Sequence, residues 1–136
     1  IAAYQQLGFK LVVDPSVNYS GYFDARSRSI TMKQIDDSVY HELGHFLAFI
    51  AGNADKTASF QSIFAAEKAN VTAFNKAYVT QNASEYFAES VKDYILNNAS
   101  LKSSRPQTYA AVQNALNQIT DAQIAKIQKI YGAFWN

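Results

Sequence analysis

The sequence predicts an α+β chain: a small N-terminal antiparallel sheet or hairpin, followed by a mostly helical domain. Three observations predict it. Short β-branched and apolar runs bounded by turn residues cluster before residue 34. From about residue 37 the apolar residues recur at helical spacing. The helix-like segments are punctuated by capping residues, by Gly52 at an end and by Pro106 at a first turn.

Residues 2–7 read as a short helix closed by Gly8. Phe9 to Val13 is a strand ended by the turn Asp14-Pro15-Ser16. Tyr19 to Phe23 and Ser29 to Lys33 are two further strands joined by the polar stretch 24–28, with Ile30 and Met32 alternating against Thr31 and Lys33. A helix over about 37–51 follows. Asp36, Asp37 and Ser38 supply its caps and first-turn acids, and Val39, Leu43, Phe46, Leu47 and Ile50 form its apolar stripe. A helix over 57–68 turns Phe60, Ile63 and Phe64 inward. Asn70 caps a shorter piece with Val71, Phe74, Ala77 and Tyr78. The next helix runs from near Asn82 to about Leu96, with Phe87, Val91, Tyr94 and Ile95 packing inward, and Asn97-Asn98-Ala99-Ser100 breaks it. Pro106 opens a helix to about Gln118, and Thr120 with Gln123 forms a capping box for a last helix to about Phe134. Val112, Leu116, Ile124, Ile127 and Ile130 are expected in the core.

At 136 residues the chain is read as a single domain, 1–136, large enough to bury a real core. A net charge of +1 gives no nucleic-acid footprint, and no apolar run approaches the roughly 18 residues of a membrane span. The absence of cysteine removes disulfides, Cys-ligated zinc and thiol catalysis. A start at Ile1, with no signal-peptide pattern, suggests a mature or trimmed form. A monomer is expected.

Chemistry concentrates in His41-Glu42-Leu43-Gly44-His45, which holds both histidines of the chain. On a helix this H-E-x-x-H pattern sets His41 and His45 one turn apart on one face, where two imidazoles bind one Zn²⁺ at about 2.0–2.1 Å. Glu42 is placed to take a proton from water activated at the metal. The alternative is an accidental pair of surface histidines; the caps and apolar stripe around the motif argue against it.

Catalytic zinc takes three protein ligands plus water. One known layout continues with a Gly and a third His, but Ala48 and Ala51 stand at those places. The third ligand is therefore a carboxylate from Asp55, Glu67, Glu85, Glu89, Asp93 or Asp121. Within Glu85-Tyr86-Phe87-Ala88-Glu89 the two acids share a helix face, and a divalent cation would reverse their repulsion. Glu85 is assigned as ligand and Glu89 as acceptor for a ligand histidine N–H. The competing reading makes Glu85 a capping-box residue for Asn82 and leaves Glu89 on a solvated face.

H-E-L-G-H followed by E-Y-F-A-E-S resembles the anthrax lethal factor-like metallopeptidases, a group that includes the clostridial Pro-Pro endopeptidases. The resemblance covers roughly Tyr22 to Leu116, including Leu101 to Tyr109, where a leucine-rich turn leads through a proline to a helix. It implies a zincin-like, gluzincin-type fold and zinc ligation by the first Glu of the second motif, which is Glu85 here. It also implies a tyrosine seven residues before that Glu, pointing into the site; that residue is Tyr78. A phenol there can hydrogen-bond an oxyanion or protonate a leaving amine. Tyr40 and Tyr86, adjacent to site residues, are expected to face elsewhere.

The expected function is zinc-dependent hydrolysis of internal peptide bonds, with His41, His45 and Glu85 holding one Zn²⁺, Glu42 as base and Tyr78 as oxyanion partner. The substrate is a protein or peptide bound in extended form along the hairpin edge, with Tyr22, Ile30 and Met32 as contacts. The resemblance suggests a preference near proline and a secreted bacterial protein. It also leads one to expect a Trp in the upstream strand region, but the single Trp is Trp135, leaving Tyr19, Tyr22 or Phe23 for that role. Sequons at Asn18, Asn70, Asn82 and Asn98 are not expected to carry glycans, since one at Asn82 would crowd the site. The alternatives are a zinc-binding pseudo-enzyme or partner-binding module, and a helical domain without metal.

Overall fold

The computed structural model describes residues 2–135; Ile1 and Asn136 lie outside the described residues. In chain order the elements are α1 (Ala2–Gln6), β1 (Lys10–Val13), β2 (Gly21–Asp24), β3 (Ser29–Met32), α2 (Ser38–Ile50), α3 (Ala58–Glu67), α4 (Lys76–Val79), α5 (Ala83–Leu96), α6 (Asn98–Ser104), α7 (Pro106–Asn117) and α8 (Asp121–Trp135), with short 3-10 turns at Ala54–Lys56 and Lys68–Asn70. The α+β expectation holds.

The sheet corrects the expectation of a purely antiparallel arrangement. Its order is β1-β3-β2: β2 and β3 form the antiparallel hairpin, but β1 joins the other side of β3 in parallel. The reason is burial. Ile30 and Met32 on β3 are 1 % and 0 % exposed, so β3 takes the centre, where both its edges are paired. The two residues therefore belong to the core and offer a substrate no surface; of the three expected contacts only Tyr22 is exposed.

Helix α2 organises the rest because its sides are apolar in two directions. Leu47, Ala48 and Ala51 enter a helical core with Phe60, Phe87, Val112 and Ala115. Phe46 and Ile50 enter a second cluster with Leu7, Phe9 and Ile127, under the sheet and against α8. With two sides so committed, the face carrying His41 and His45 is presented to α5. Gly52, just past α2, has φ +74°, the left-handed conformation that closes a helix at little cost for glycine.

Asn82 caps α5 as the sequence predicts, and Thr57, which the sequence reading did not single out, caps α3. Thr57 accepts the Phe60 N–H at 3.1 Å and Asn82 the Glu85 N–H at 2.8 Å. At α2, Asp37 holds the cap position without a side-chain bond, and the Asp36 carboxylate accepts the Ser38 N–H instead. Thr120 accepts the Gln123 N–H, but the Gln123 amide does not return to it; it donates to the Ile50 carbonyl at 2.8 Å, tying α8 to the end of α2.

Several expectations are corrected by packing. Asn70 caps no helix: its amide donates to the Ser104 carbonyl, residues 71–75 are non-helical, and Phe74 is fully exposed. The Asn97–Ser100 stretch is a joint rather than a break, since α6 begins at Asn98 and is anchored by buried Leu101. Leu116, Ile130 and Ile95 are exposed, because α7, α8 and α5 each bury only one stripe; Val112 and Ile127 are buried as expected.

Candidate metal centre

The site forms where α2 crosses α5. Gly44, inside the motif, allows that crossing. A Cβ on Gly44 would stand 2.6 Å from the Ala88 carbonyl oxygen and 2.7 Å from its Cα, closer than real contacts come. Glycine within a helix costs about 1 kcal/mol relative to alanine, and here it lets the two backbones touch. On α5, Tyr86, Phe87, Ala88 and Val91 are buried, which turns Glu85 and Glu89 toward α2.

The result is a convergence of ligand atoms. His45 Nε2 lies 3.0 Å from Glu85 Oε1 and His41 Nε2 lies 3.3 Å from Glu85 Oε2. Ligand atoms of His41, His45 and Glu85 all fall within 4.8 Å of one another. Tetrahedral ligands about 2.0–2.1 Å from zinc are separated by about 3.3–3.4 Å, so the donor set and its spacing fit that ion. The remaining His41 nitrogen, Nδ1, is 2.9 Å from Glu89 Oε1, which leaves Nε2 directed at the centre. Asn82 still caps α5 through the Glu85 N–H, so Glu85 gives its backbone to the cap and its carboxylate to the imidazoles.

The other acids weighed as ligands are engaged elsewhere or remote. Asp55 accepts from Ser84 Oγ at 2.6 Å. Glu67 accepts the Gln107 and Thr108 N–H groups at the start of α7, together with the Thr108 hydroxyl. Asp93 pairs with Arg105 at 2.6 Å. Asp121 is exposed in the first turn of α8.

The centre has a strong negative potential. Burial pulls the His41 imidazole down, but hydrogen bonds to Glu85 and Glu89 and the charge of Glu42 outweigh it, and its pKa is pushed up to about 9. Burial raises Glu85, yet its bonds with His41 and His45 hold it well below the usual carboxylate range. Glu89 is lowered, its burial outweighed by the His41 bond and by Lys92. Burial raises Glu42 against the opposing charges of His41 and His45. Surroundings that hold a proton so firmly also favour a divalent cation.

Tyr78 stands over the centre on α4. Its ring centroid is 6.4 Å from that of His41, and its hydroxyl is pushed up to about 12 by burial and by Glu85. Of the adjacent tyrosines, Tyr86 points away into the core, where its hydroxyl meets Thr108 Oγ1 at 2.6 Å. A cleft of about 380 Å³ opens here, lined by Tyr19, Gly21, His41, Glu42, Tyr78 and Lys92 among others. A cleft of about 460 Å³ between α3 and α7 is lined by no titratable group and offers no comparable chemistry.

Strand β2 supplies Gly21, which sequence reasoning missed, and Phe23, which it named only as a stand-in for a substrate-binding Trp. The Phe23 ring stacks near His45, with centroids 6.4 Å apart and planes at 19°. Gly21 abuts Glu42 directly. The only signal was a glycine inside a strand, which often marks close backbone approach.

The chain matches the family described as "Anthrax toxin lethal factor, N- and C-terminal domain" over residues 21–115. It is 41 % identical over 78 residues to a Pro-Pro endopeptidase of Clostridioides difficile (strain 630), a match covering 54 % of this chain and 34 % of that protein. The matched segment thus spans about a third of the relative's length. No solved structure matches at a significant level. Because the family match runs from Gly21 on the edge strand, through both histidines and Glu85, to Ala115 on α7, the chain belongs to the anthrax toxin lethal factor family.

Proposed function

We propose that residues 1–136 act as one zincin-like domain, the zinc-binding catalytic unit of a secreted bacterial endopeptidase, working as a monomer. The observation that carries this reading is the convergence of His41, His45 and Glu85 beside a buried Glu42 at the floor of an open cleft.

Zinc held by those three residues would supply Lewis acidity, polarising the scissile carbonyl and lowering the pKa of water. Glu89 fixes the His41 ring by accepting its Nδ1–H. Glu42, raised by burial, removes a proton from the attacking water and delivers it to the departing amine. Tyr78, protonated throughout the physiological range, donates a hydrogen bond to the oxyanion of the tetrahedral intermediate. The substrate lies extended along β2, the sheet edge bordering the cleft, with exposed Tyr22 and Tyr19 beside it. The relative's name supports a preference for proline near the cleaved bond.

The rival reading, a zinc-binding module without activity, leaves Glu42 without a purpose, since a buried carboxylate beside the charge of Glu85 is costly for structure alone. Zinc analysis of the purified chain, followed by peptide-library digestion with and without chelator, tests the proposal. One zinc per chain with chelator-sensitive cleavage is expected. Zinc without cleavage would favour the module, and no zinc would remove both readings.

A further inference from the structure

Gly21 lies closer to the proposed base than any residue with a side chain could. It is paired with Met32 across the sheet. A Cβ on Gly21 would stand 2.8 Å from Met32 Sδ, 2.9 Å from Glu42 Cγ and 3.2 Å from Glu42 Oε2. The Gly21 backbone is not left-handed, so space rather than conformation calls for glycine here. Met32 is 0 % exposed, so its side chain can shift only within the core. The Glu42 carboxylate borders the cleft and is the group that can give way.

We infer that Gly21 is a positioning residue for Glu42: the missing side chain lets edge strand β2 press against the glutamate and fix its carboxylate in the cleft. This deepens the endopeptidase reading and rests on it. Alanine suits a strand backbone better than glycine does, so the Gly21→Ala chain folds while its methyl displaces the carboxylate. A misplacement on the order of 1 Å costs about 100-fold in rate.

The test compares Gly21→Ala with wild type and with Gly132→Ala, a control because among the described residues nothing lies within 4 Å of a Cβ there. The substrate is a peptide that the wild-type chain cleaves in a library digest. Gly21→Ala is expected to keep its zinc content, unfolding temperature and KM, while kcat falls about 100-fold. In the inactive Glu42→Gln background, adding Gly21→Ala should leave the Kd for the same peptide unchanged. A crystal structure of Gly21→Ala should show the Glu42 carboxylate shifted by about 1 Å. Wild-type kcat, or an unmoved carboxylate, would overturn the inference. Weakened KM and Kd would overturn it too, making Gly21 a substrate contact instead. If the methyl unfolds the sheet through Met32, Gly21→Ala/Met32→Ala removes that clash and should show the same fall in kcat. A wild-type chain that cleaves nothing defeats the endopeptidase reading, and the carboxylate position still decides whether Gly21 places it.

Discussion

His41 Nδ1 lies 2.9 Å from Glu89 Oε1, a bond between two helices whose partners are 48 residues apart in sequence. It sets which ring nitrogen faces the centre, and in the proposed zinc site it would couple the α2–α5 packing to metal affinity. Glu89→Gln is therefore expected to weaken zinc binding by about 10–100-fold, read by competition with a chromophoric chelator. An unchanged affinity would remove Glu89 from the centre.

Glu42→Gln keeps the size of the side chain and removes its basicity. Zinc content and melting temperature should stay at wild-type values, while kcat falls by at least about 10²–10⁴-fold. Activity near wild type in that variant would mean that another group takes the proton.

Tyr78 is 56 % exposed, so the loss of its hydroxyl should not disturb folding. Tyr78→Phe is expected to lower kcat by about 10²–10³-fold with little change in KM, as for the loss of one oxyanion donor. Equal turnover would take the phenol out of the mechanism.

Gly44→Ala places a methyl against the Ala88 backbone, which cannot rotate away as a side chain can. Forcing the helices apart should cost about 1–3 kcal/mol of stability and weaken zinc binding, because Glu85 and Glu89 move with α5. Denaturant melts and zinc titration of the same variant check both effects; wild-type values in both would mean that the crossing is not tight.

Zinc binding should depend on pH with a definite sign. In the metal-free chain His41 is raised from 6.5 to about 9. Its proton contributes stability fully below about pH 6.5 and loses it as pH rises through about 9. Glu85, whose burial is outweighed by its bonds with His41 and His45, is lowered; its contribution is present above about pH 4.5 and is lost as pH falls through its depressed value. Zinc must displace the His41 proton, so apparent affinity should rise about tenfold per pH unit from pH 7 toward pH 9. A flat titration would show that the His41 pKa is not raised above its ordinary value in the metal-free chain.

The sequence alone carried the chemistry that local spacing controls. His41, Glu42 and His45 lie within one helical turn and a half, so naming the helix was enough to place them. Glu85 and Glu89 were legible because their four-residue spacing fixes them to one face of α5, and Asn82 announces where that helix starts. What only the tertiary structure decided depends on contacts between distant segments. The parallel pairing of β1 with β3, the burial of Ile30 and Met32, and the press of Gly21 on Glu42 follow from which strand takes the centre of the sheet. Periodicity does not encode that choice, because alternating residues mark two faces without saying which strand lies beside which. The same limit applies to Gly44 and Ala88: a glycine in a helix signals close approach, but its neighbour is named only when the helices dock.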